Sequence, residues 1–181
     1  MLAGHAESPG PPVHAGRTGI DGIRGIELVT EEENLGVRVT RRSEASWQGT
    51  VPDGGGRIGL GSGAFEGPFS LKARVESVER ATNPEELIAA AEAGCFTMSL
   101  ANLLSEAGHP PDDLQTTAEV TLEQLDTGFS ITRIRLNTVG RVQDVDAEQI
   151  SKLAEEAKAT CPVSRALAGT QITLEARLEG G

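Results

Sequence analysis

The 181-residue sequence predicts a domain of the α+β class that follows an N-terminal extension. Two regions, 37–76 and 117–140, alternate polar and apolar residues as short strands do. Between them, the 18 residues from Leu87 to Leu104 carry one charge and are long enough for a buried helix. A second helical pattern with one apolar stripe follows, and then a last strand. Strands and helices in this order are typical of an α+β fold.

The first 38 residues differ in composition from the remainder. Glycine and proline are dense between Gly4 and Gly25, an acidic run follows at Glu31 to Glu33, and no periodicity is sustained. We therefore expect residues 1–38 to be a mobile extension and residues 39–181 to form the domain. The alternative is that Ile26 to Val39 adds a strand to a sheet edge.

The alternating pattern of the first half predicts a three-stranded β-meander. The strands are expected at 37–47, 57–60 and 69–76, and Gly54 to Gly56 is expected to form the turn after the first of them. On the third strand, Lys72 and Arg74 would share one face, because side chains two residues apart in a strand point the same way.

The first long helix has clear boundaries in the sequence. Asn83 is expected to cap it, Pro84 suits the first helical position, and Glu86 stands where a capping box requires it. Gly108 and the prolines after it end the helix. Because the helix is apolar nearly all round, we expect it to be buried on most sides, within the chain or between subunits. Its content of Gly, Ser, Thr, Asn and Ala makes a membrane span unfavourable.

The second half repeats the strand pattern and adds a second helix. Strands are expected at 117–125, 129–140 and 171–178, which would form a second three-stranded meander. Asp146 is expected to cap the second helix. The apolar stripe of that helix comprises Ile150, Leu153, Ala154 and Ala157. A single stripe predicts that the helix lies on the surface of the sheet.

Composition excludes several classes of function. The formal net charge of −11 argues against nucleic acid or an anionic membrane as a partner, because both are bound through clustered Lys and Arg. Two cysteines are too few for a disulfide scaffold and lack zinc-site spacing, so neither a metal nor another cofactor is expected. Met1 to Glu7 lacks the basic start and apolar core of a secretory signal, which predicts a cytoplasmic protein.

The two cysteines are the candidate reactive groups. A thiol reacts as its thiolate, which positive charge or helix-end amides stabilise. Cys95 lies in the middle of the long helix and needs a cation brought by another segment. The candidates are Arg57, Arg74 and Arg80. Cys161 precedes a proline at the start of a turn, whose amides can lower its pKa. The residues alone leave open which cysteine attacks first, and whether both only fill space.

Helix geometry sets a condition on the cation that serves Cys95. A buried arginine needs an anion, and Glu85 near the helix start can provide it. Glu85 lies ten residues before Cys95, which is about 15 Å along a helix axis. One guanidinium cannot bridge that distance. An Arg–Glu pair that acts on Cys95 would therefore come from a second copy of the chain, packed antiparallel at a twofold axis.

Two cysteine-containing motifs carry a family resemblance. Residues 82–91, Thr-Asn-Pro-Glu-Glu-Leu-Ile-Ala-Ala-Ala, and residues 94–100, Gly-Cys-Phe-Thr-Met-Ser-Leu, resemble the signature helix of the OsmC (osmotically inducible protein C) family of peroxiredoxins. Residues 158–167, Lys-Ala-Thr-Cys-Pro-Val-Ser-Arg-Ala-Leu, resemble its second cysteine segment. Segments at 43–49 and 61–69 also match, so the resemblance runs from about Val39 to Leu178.

The resemblance implies an OsmC-like fold and a thiol-dependent peroxidase that acts on organic hydroperoxides and hydrogen peroxide in oxidative-stress defence. In such proteins the first cysteine, here Cys95, attacks the peroxide and becomes a sulfenic acid. The second, here Cys161, condenses with it to a disulfide, which a dithiol then reduces. Related members use a lipoyl-bearing protein as that dithiol. They are intertwined homodimers with active sites at the subunit interface.

The resemblance also implies an Arg–Glu pair in the site. Glu85 matches the family glutamate, and Arg74 is the expected arginine, on the strand before the signature helix. A valine follows Arg74 where phenylalanine is usual, and the next loop is one residue longer and contains Arg80. The organic-hydroperoxide-resistance branch takes its arginine from near the first turn, which would point to Arg57.

Two other functions are compatible with the same residues. One is a noncatalytic protein that binds an apolar ligand in the interface pocket. It is motivated by the apolar run of Phe96, Met98, Leu100 and Leu103. The other is a structural dimer whose thiols are inert.

Overall fold

The computed structural model describes residues 36–76 and 78–180, together with the backbone of residues 26–28. The chain divides into two units, Met1–Arg42 and Ser43–Gly181. In the first unit, strand β1 (Ile26–Leu28) pairs antiparallel with β2 (Val37–Val39). These two strands form a sheet of their own, so the described strands here do not extend either of the larger sheets. The remaining residues of the predicted mobile extension, 1–25 and 29–35, lie outside the described residues.

The first sheet of the second unit is an antiparallel meander of three strands, β3 (Ser43–Gln48), β4 (Gly55–Leu60) and β5 (Glu66–Phe69). The turn between β3 and β4 lies earlier than predicted and starts at Gly49, whose φ of 84° favours glycine. Gly56 belongs to β4. A Cβ on Gly56 would lie 2.2 Å from the Ser46 carbonyl oxygen and 2.5 Å from the Phe69 ring. Glycine at this position therefore lets the Phe69 ring lie against the strand.

The residues predicted as a third strand at 69–76 form a short helix instead. Helix α1 (Leu71–Val75) begins after Ser70, whose Oγ accepts a 3.1 Å hydrogen bond from the amide three residues on. The strand prediction is wrong from residue 70 onward, and with it the shared strand face of Lys72 and Arg74. The physical reason is local, because a serine cap followed by Leu, Lys, Ala and Arg favours a helical turn.

Helix α2 (Pro84–Glu106) has the predicted boundaries. Asn83 Oδ1 accepts a 2.9 Å hydrogen bond from the Glu86 amide, which confirms the cap. The Glu86 carboxylate accepts a 2.7 Å hydrogen bond from the Thr82 hydroxyl. At the other end, Gly108 has a φ of 88°, a conformation that ends helices and favours glycine.

The second sheet contains the long strands β6 (Asp113–Leu125) and β7 (Gly128–Arg141), joined as a hairpin, and β8 (Gln171–Leu178). Strand β8 runs parallel to β7, with Arg133 opposite Gln171. The prediction of a second meander is therefore wrong in the direction of its last strand. Helices α3 (Ala147–Thr160) and α4 (Pro162–Ala166) lie between β7 and β8. Parallel strands need a long crossover connection, and these helices provide it.

The core lies between α2, α3 and the second sheet. Its buried members are Phe96, Leu100, Leu104, Leu136, Ala154 and Ala157. Asp146 Oδ1 accepts a 2.8 Å hydrogen bond from the Gln149 amide, which confirms the predicted cap of α3. The predicted stripe of α3 faces this core.

Helix α2 is buried on one side only within the chain. Phe96, Leu100 and Leu104 are fully buried, whereas Met98 is 75% exposed. Only 22% of its most apolar 18-residue window is buried. The prediction of burial on most sides is thus wrong for a single chain. By length and composition α2 could cross a membrane, but its buried side packs on β6 and α3 as a core helix does.

Candidate active site

The two cysteines meet where α4 packs against α2. Cys95 lies in the middle of α2, and Cys161 is the residue that caps the start of α4. Their sulfurs are 2.9 Å apart and share a hydrogen bond. Cys161 is fully buried, Cys95 is half-buried, and both are free thiols. Residues 66 positions apart in the sequence therefore form a reduced dithiol.

The surroundings separate the two thiols by pKa. Burial raises the pKa of Cys95, and the hydrogen bond to Cys161 and the carboxylate of Glu92 raise it further. Burial also acts to raise the pKa of Cys161, but hydrogen bonding between the two thiols and the effect of the Ser164 amide and side chain outweigh it. The pKa of Cys161 therefore falls below its ordinary value. Within a single chain, Cys161 is the thiol that ionises more easily.

Arg74 and Glu85 form a two-pronged ion pair. Nη2 of Arg74 donates to Oε1 of Glu85 at 2.6 Å, and Nε donates to both carboxylate oxygens at 3.0 and 3.1 Å. The Glu85 side chain is 8% exposed and that of Arg74 is 32% exposed. The hydrogen bond to Glu85 raises the pKa of Arg74, so the guanidinium is charged at any physiological pH. Such a pair holds the guanidinium in one orientation.

The start of α2 positions this ion pair. Glu85 lies in the first turn of α2, behind the Asn83 cap, and Arg74 lies on α1. Asn83 Nδ2 donates a 3.1 Å hydrogen bond to the Ala73 carbonyl and so joins α1 to α2. The guanidinium carbon of Arg74 also lies 5.7 Å from the centre of the Phe129 ring, a cation–π contact.

The other candidate arginines make no hydrogen bond or ion pair with the dithiol or with Glu85 among the described residues. Arg57 makes an exposed ion pair with Glu66, with both contacts at 2.8 Å. Arg80 is exposed, with a positive φ of 59°. Among the described residues, none of the groups that shift the pKa of Cys95 is a cation. The structure thus brings Cys95 to Cys161 and Arg74 to Glu85, but it does not bring the two pairs together within one chain.

The sequence predictions omitted two polar residues beside the dithiol. Glu92 is fully buried one turn before Cys95, and its Oε1 accepts a 2.6 Å hydrogen bond from the Ser164 hydroxyl. Glu92 Oε2 is buried and has no hydrogen-bond partner among the described residues. The signal for Glu92 was its position as the single charge in an apolar stretch, since burial of a charge is costly. Ser164 had no signal beyond its place in the second cysteine motif.

An apolar pocket opens beside Arg74. It has a volume of about 260 Å³ and is lined by Trp47, Val51, Phe69, Ser70, Leu71, Arg74 and Pro84. Arg74 is the charged residue of this lining. The described part of the chain holds no group of three or more His, Cys, Asp or Glu side chains that could bind a metal ion.

Comparisons with known proteins agree with the fold and with the family resemblance. Residues 77–176 match the family model described as OsmC-like protein. The chain is 40% identical over 142 residues to Peroxiredoxin OsmC of Escherichia coli (strain K12), which covers 78% of this chain and 98% of that protein. It is 33% identical over 105 residues to organic hydroperoxide resistance protein OhrA of Bacillus subtilis (strain 168), over 56% of this chain and 72% of that one.

Solved structures show the same fold. The crystal structure of an organic hydroperoxide resistance protein from Elizabethkingia anophelis aligns with a TM-score of 0.61 and 23% identity, over 80% of this chain and 99% of that one. An α+β scaffold with these relatives defines a peroxiredoxin-type oxidoreductase, an enzyme with peroxidase-type function. The chain belongs to the OsmC family of proteins. The predicted family, fold class and enzyme class are confirmed.

Proposed function

We propose that the protein reduces organic hydroperoxides, and hydrogen peroxide, through a two-cysteine cycle that defends against oxidative stress. The Cys95 thiolate attacks the peroxide, the O–O bond breaks, and an alcohol or water leaves while the sulfur becomes a sulfenic acid. Cys161 then attacks the Cys95 sulfur, which forms a disulfide and releases water. A dithiol returns both cysteines to thiols.

The contact between the two sulfurs carries this proposal. They are 2.9 Å apart before any oxidation, and a disulfide needs about 2.05 Å. A sulfenic acid on Cys95 would therefore meet Cys161 with little movement of α2 or α4. An inert buried cysteine needs no second cysteine beside it.

The attacking role of Cys95 requires a cation that the described residues of a single chain do not supply. Its pKa is raised by burial first of all, so in one isolated chain it is protonated at neutral pH. A guanidinium close to the sulfur reverses this, because it stabilises the thiolate. We propose that Arg74, oriented by Glu85, acts on Cys95 of a second copy of the chain. The separation of about 15 Å along α2 supports this arrangement.

Apolar surface on the single chain supports the homodimer. Met98 is 75% exposed on α2, and β3 is exposed along its whole length. Trp47, Leu60 and Phe65 of the first sheet and its loop keep 36–38% of their surface exposed. Exposed apolar surface of this kind is typical of subunit interfaces.

The pocket beside Arg74 supports a substrate with an apolar tail. Its aromatic and aliphatic lining suits a hydrocarbon group, and the guanidinium can hydrogen bond to the peroxide oxygens. The relative OhrA is named for organic hydroperoxide resistance. The lipoyl-bearing reductant and the cytoplasmic location stay predictions.

Ligand binding without catalysis has weaker support. Of the apolar run that motivated it, Phe96 and Leu100 are fully buried in the core and are unavailable to a ligand. Met98 is the well-exposed member of that run.

Dithiol-dependent consumption of cumene hydroperoxide tests the proposed cycle. With dihydrolipoamide as the reductant, we expect multiple turnovers from the wild type and no turnover from Cys95→Ser. With a protein dithiol as the reductant, we expect Cys161→Ser to consume one equivalent of hydroperoxide and then to stop. Equal consumption by the wild type and Cys95→Ser would reject the peroxidase. Sustained turnover by Cys161→Ser would reject its resolving role.

A further inference from the structure

Glu92 is a buried carboxylate for which the cycle described above has no use. It is fully buried, and one of its oxygens has no hydrogen-bond partner among the described residues. An unsatisfied buried carboxylate oxygen destabilises the fold. Its charge also raises the pKa of Cys95, which opposes the first step of the cycle. A carboxylate in this position is therefore expected to act in another step.

Ser164 connects Glu92 to Cys161. Its hydroxyl donates a 2.6 Å hydrogen bond to Glu92 Oε1, and Ser164 lies in the first turn of α4, the helix that Cys161 caps, where its side chain lowers the pKa of the Cys161 thiol. Glu92 and Cys161 are fully buried and Ser164 is 4% exposed, so bulk water does not compete along this path. The path ends at the Cys161 sulfur, 2.9 Å from that of Cys95.

We propose that Glu92, acting through Ser164, takes the thiol proton of Cys161 when Cys161 attacks oxidised Cys95. The inference rests on the two-cysteine cycle and deepens its second step. When Cys95 attacks peroxide as a thiolate, Cys161 holds the proton of the S–H···S hydrogen bond. Cys161 must lose that proton before it can attack in turn. Because Cys161 is fully buried, the base has to be inside the protein.

The step balances without an external reagent. The Cys161 proton passes to Ser164 Oγ while the Ser164 hydroxyl proton passes to Glu92 Oε1, which leaves a thiolate and a neutral carboxyl group. The Cys161 sulfur then forms a bond to the Cys95 sulfur, and the S–O bond of the sulfenic acid breaks. The leaving hydroxide takes the proton from Glu92 and departs as water, which restores the carboxylate.

The other charged groups on the helices around this path are exposed or paired in the described residues. On α3, Glu148, Lys152 and Glu156 are exposed. On α3, Lys158 is paired with Glu155 at 2.6 Å. On α4, Arg165 is exposed. On α2, Glu92 is the charged group that shifts the pKa of Cys95. Glu92 is therefore the base connected to Cys161.

Single-turnover kinetics of Glu92→Gln and Ser164→Ala test the proposal. Cys95 is oxidised with one equivalent of cumene hydroperoxide, and disulfide formation is followed by acid quench, alkylation and mass spectrometry. General base catalysis contributes about 10²–10⁴-fold, so we expect condensation at neutral pH to slow at least about 10²-fold in each variant. Glu106→Gln, at an exposed position on the same helix, is the matched control and is expected to condense at the wild-type rate.

The pH profile separates proton transfer from a merely structural role. In Glu92→Gln, solvent must deprotonate Cys161, so condensation is expected to accelerate about tenfold per pH unit below the thiol pKa and to approach the wild-type rate in alkali. The wild-type rate is expected to depend far less on pH around neutrality. Equal slowing of the variant at every pH would overturn the proposal.

A second assay is independent of peroxide chemistry. Ellman's reagent converts Cys95 to a mixed disulfide, and attack by Cys161 releases a second coloured thionitrobenzoate. Cys161→Ser shows that the first label is on Cys95. Slow release of the second thionitrobenzoate in Glu92→Gln supports the relay whether or not the wild type reduces hydroperoxide. Failure of the proposed peroxidase function is therefore distinguishable from failure of the relay. Wild-type condensation rates in both Glu92→Gln and Ser164→Ala would overturn the relay.

Discussion

The sulfurs of Cys95 and Cys161 lie 2.9 Å apart, although 66 positions separate the residues in the sequence. The contact arises because α4 packs against α2 within one chain. Arg74 and Glu85 form an ion pair with a 2.6 Å contact, but at the start of α2, ten residues before Cys95. The site is therefore built in two parts, a dithiol and an ion pair.

Oxidation is expected to join Cys95 to Cys161 of the same chain, because their sulfurs are already in contact. One equivalent of hydroperoxide should lower the mass of the intact chain by two hydrogens and leave it at monomer mass on a nonreducing gel. Cys161→Ser should instead accumulate a sulfenic acid that dimedone traps. A covalent dimer as the main wild-type product would contradict the intrachain pairing.

Replacement of Arg74 by alanine is expected to slow the reaction of Cys95 with hydroperoxide by about 10²–10³-fold, as loss of a preorganised electrostatic group does. The rate constant can be followed by stopped-flow fluorescence of Trp47. Arg57→Ala is the matched control, since Arg57 pairs with Glu66 at an exposed position, and it should react at the wild-type rate. Equal losses in the two variants would show that Arg74 has no special role.

Asn83→Ala is expected to destabilise the fold by about 1 kcal/mol through loss of the helix cap. It should also slow peroxide reduction, because the Asn83 side chain joins α1 to α2 and so positions Arg74 against Glu85. Chemical denaturation and peroxidase rates measure the two effects. Asp146→Ala removes the cap of α3 and should lower stability similarly while leaving the rate unchanged. A rate loss shared by both variants would trace the effect to stability alone.

Parts of the fold that depend on neighbouring residues were predictable from the sequence. The caps at Asn83 and Asp146 involve residues within three positions, and both form as expected. The direction of β8 was not predictable from alternation, because the pattern of apolar residues is the same in parallel and antiparallel pairing. The strand predicted through Arg74 failed because alternation over a few residues is also compatible with a capped helical turn.

The candidate site was likewise predictable only where residues close together in the sequence define it. Motifs predicted Cys95, Cys161, Arg74 and Glu85, since each lies in a segment with its own local signature. The hydrogen bond between Glu92 and Ser164 joins residues 72 positions apart and depends on how α4 packs against α2. A pair of that kind has no signature in a single sequence.

Separation of the proposed homodimer into single chains is expected to make Cys95 less reactive at neutral pH. In an isolated chain, burial raises the pKa of Cys95, so the thiolate fraction is small near pH 7 and grows as pH rises. In the proposed homodimer, the guanidinium of the second chain should lower the pKa of Cys95, and the alkylation rate should level off at a lower pH. The test compares Cys161→Ser with and without Met98→Glu, which puts a charge on the exposed apolar face of α2. Light scattering measures the molecular mass of each variant. The rate of alkylation by iodoacetamide measures the fraction of Cys95 present as thiolate.

The control for that comparison is Ala147→Glu, which adds the same charge at an exposed position in the first turn of α3. It should keep the dimer mass and the low-pH alkylation profile, since an acidic residue at a helix start is favourable. If Met98→Glu is monomeric and Cys95 keeps the profile of the dimer, the reactivity of Cys95 is set within one chain. If the profile moves to higher pH only when the mass falls to that of one chain, the cation that activates Cys95 comes from the second subunit.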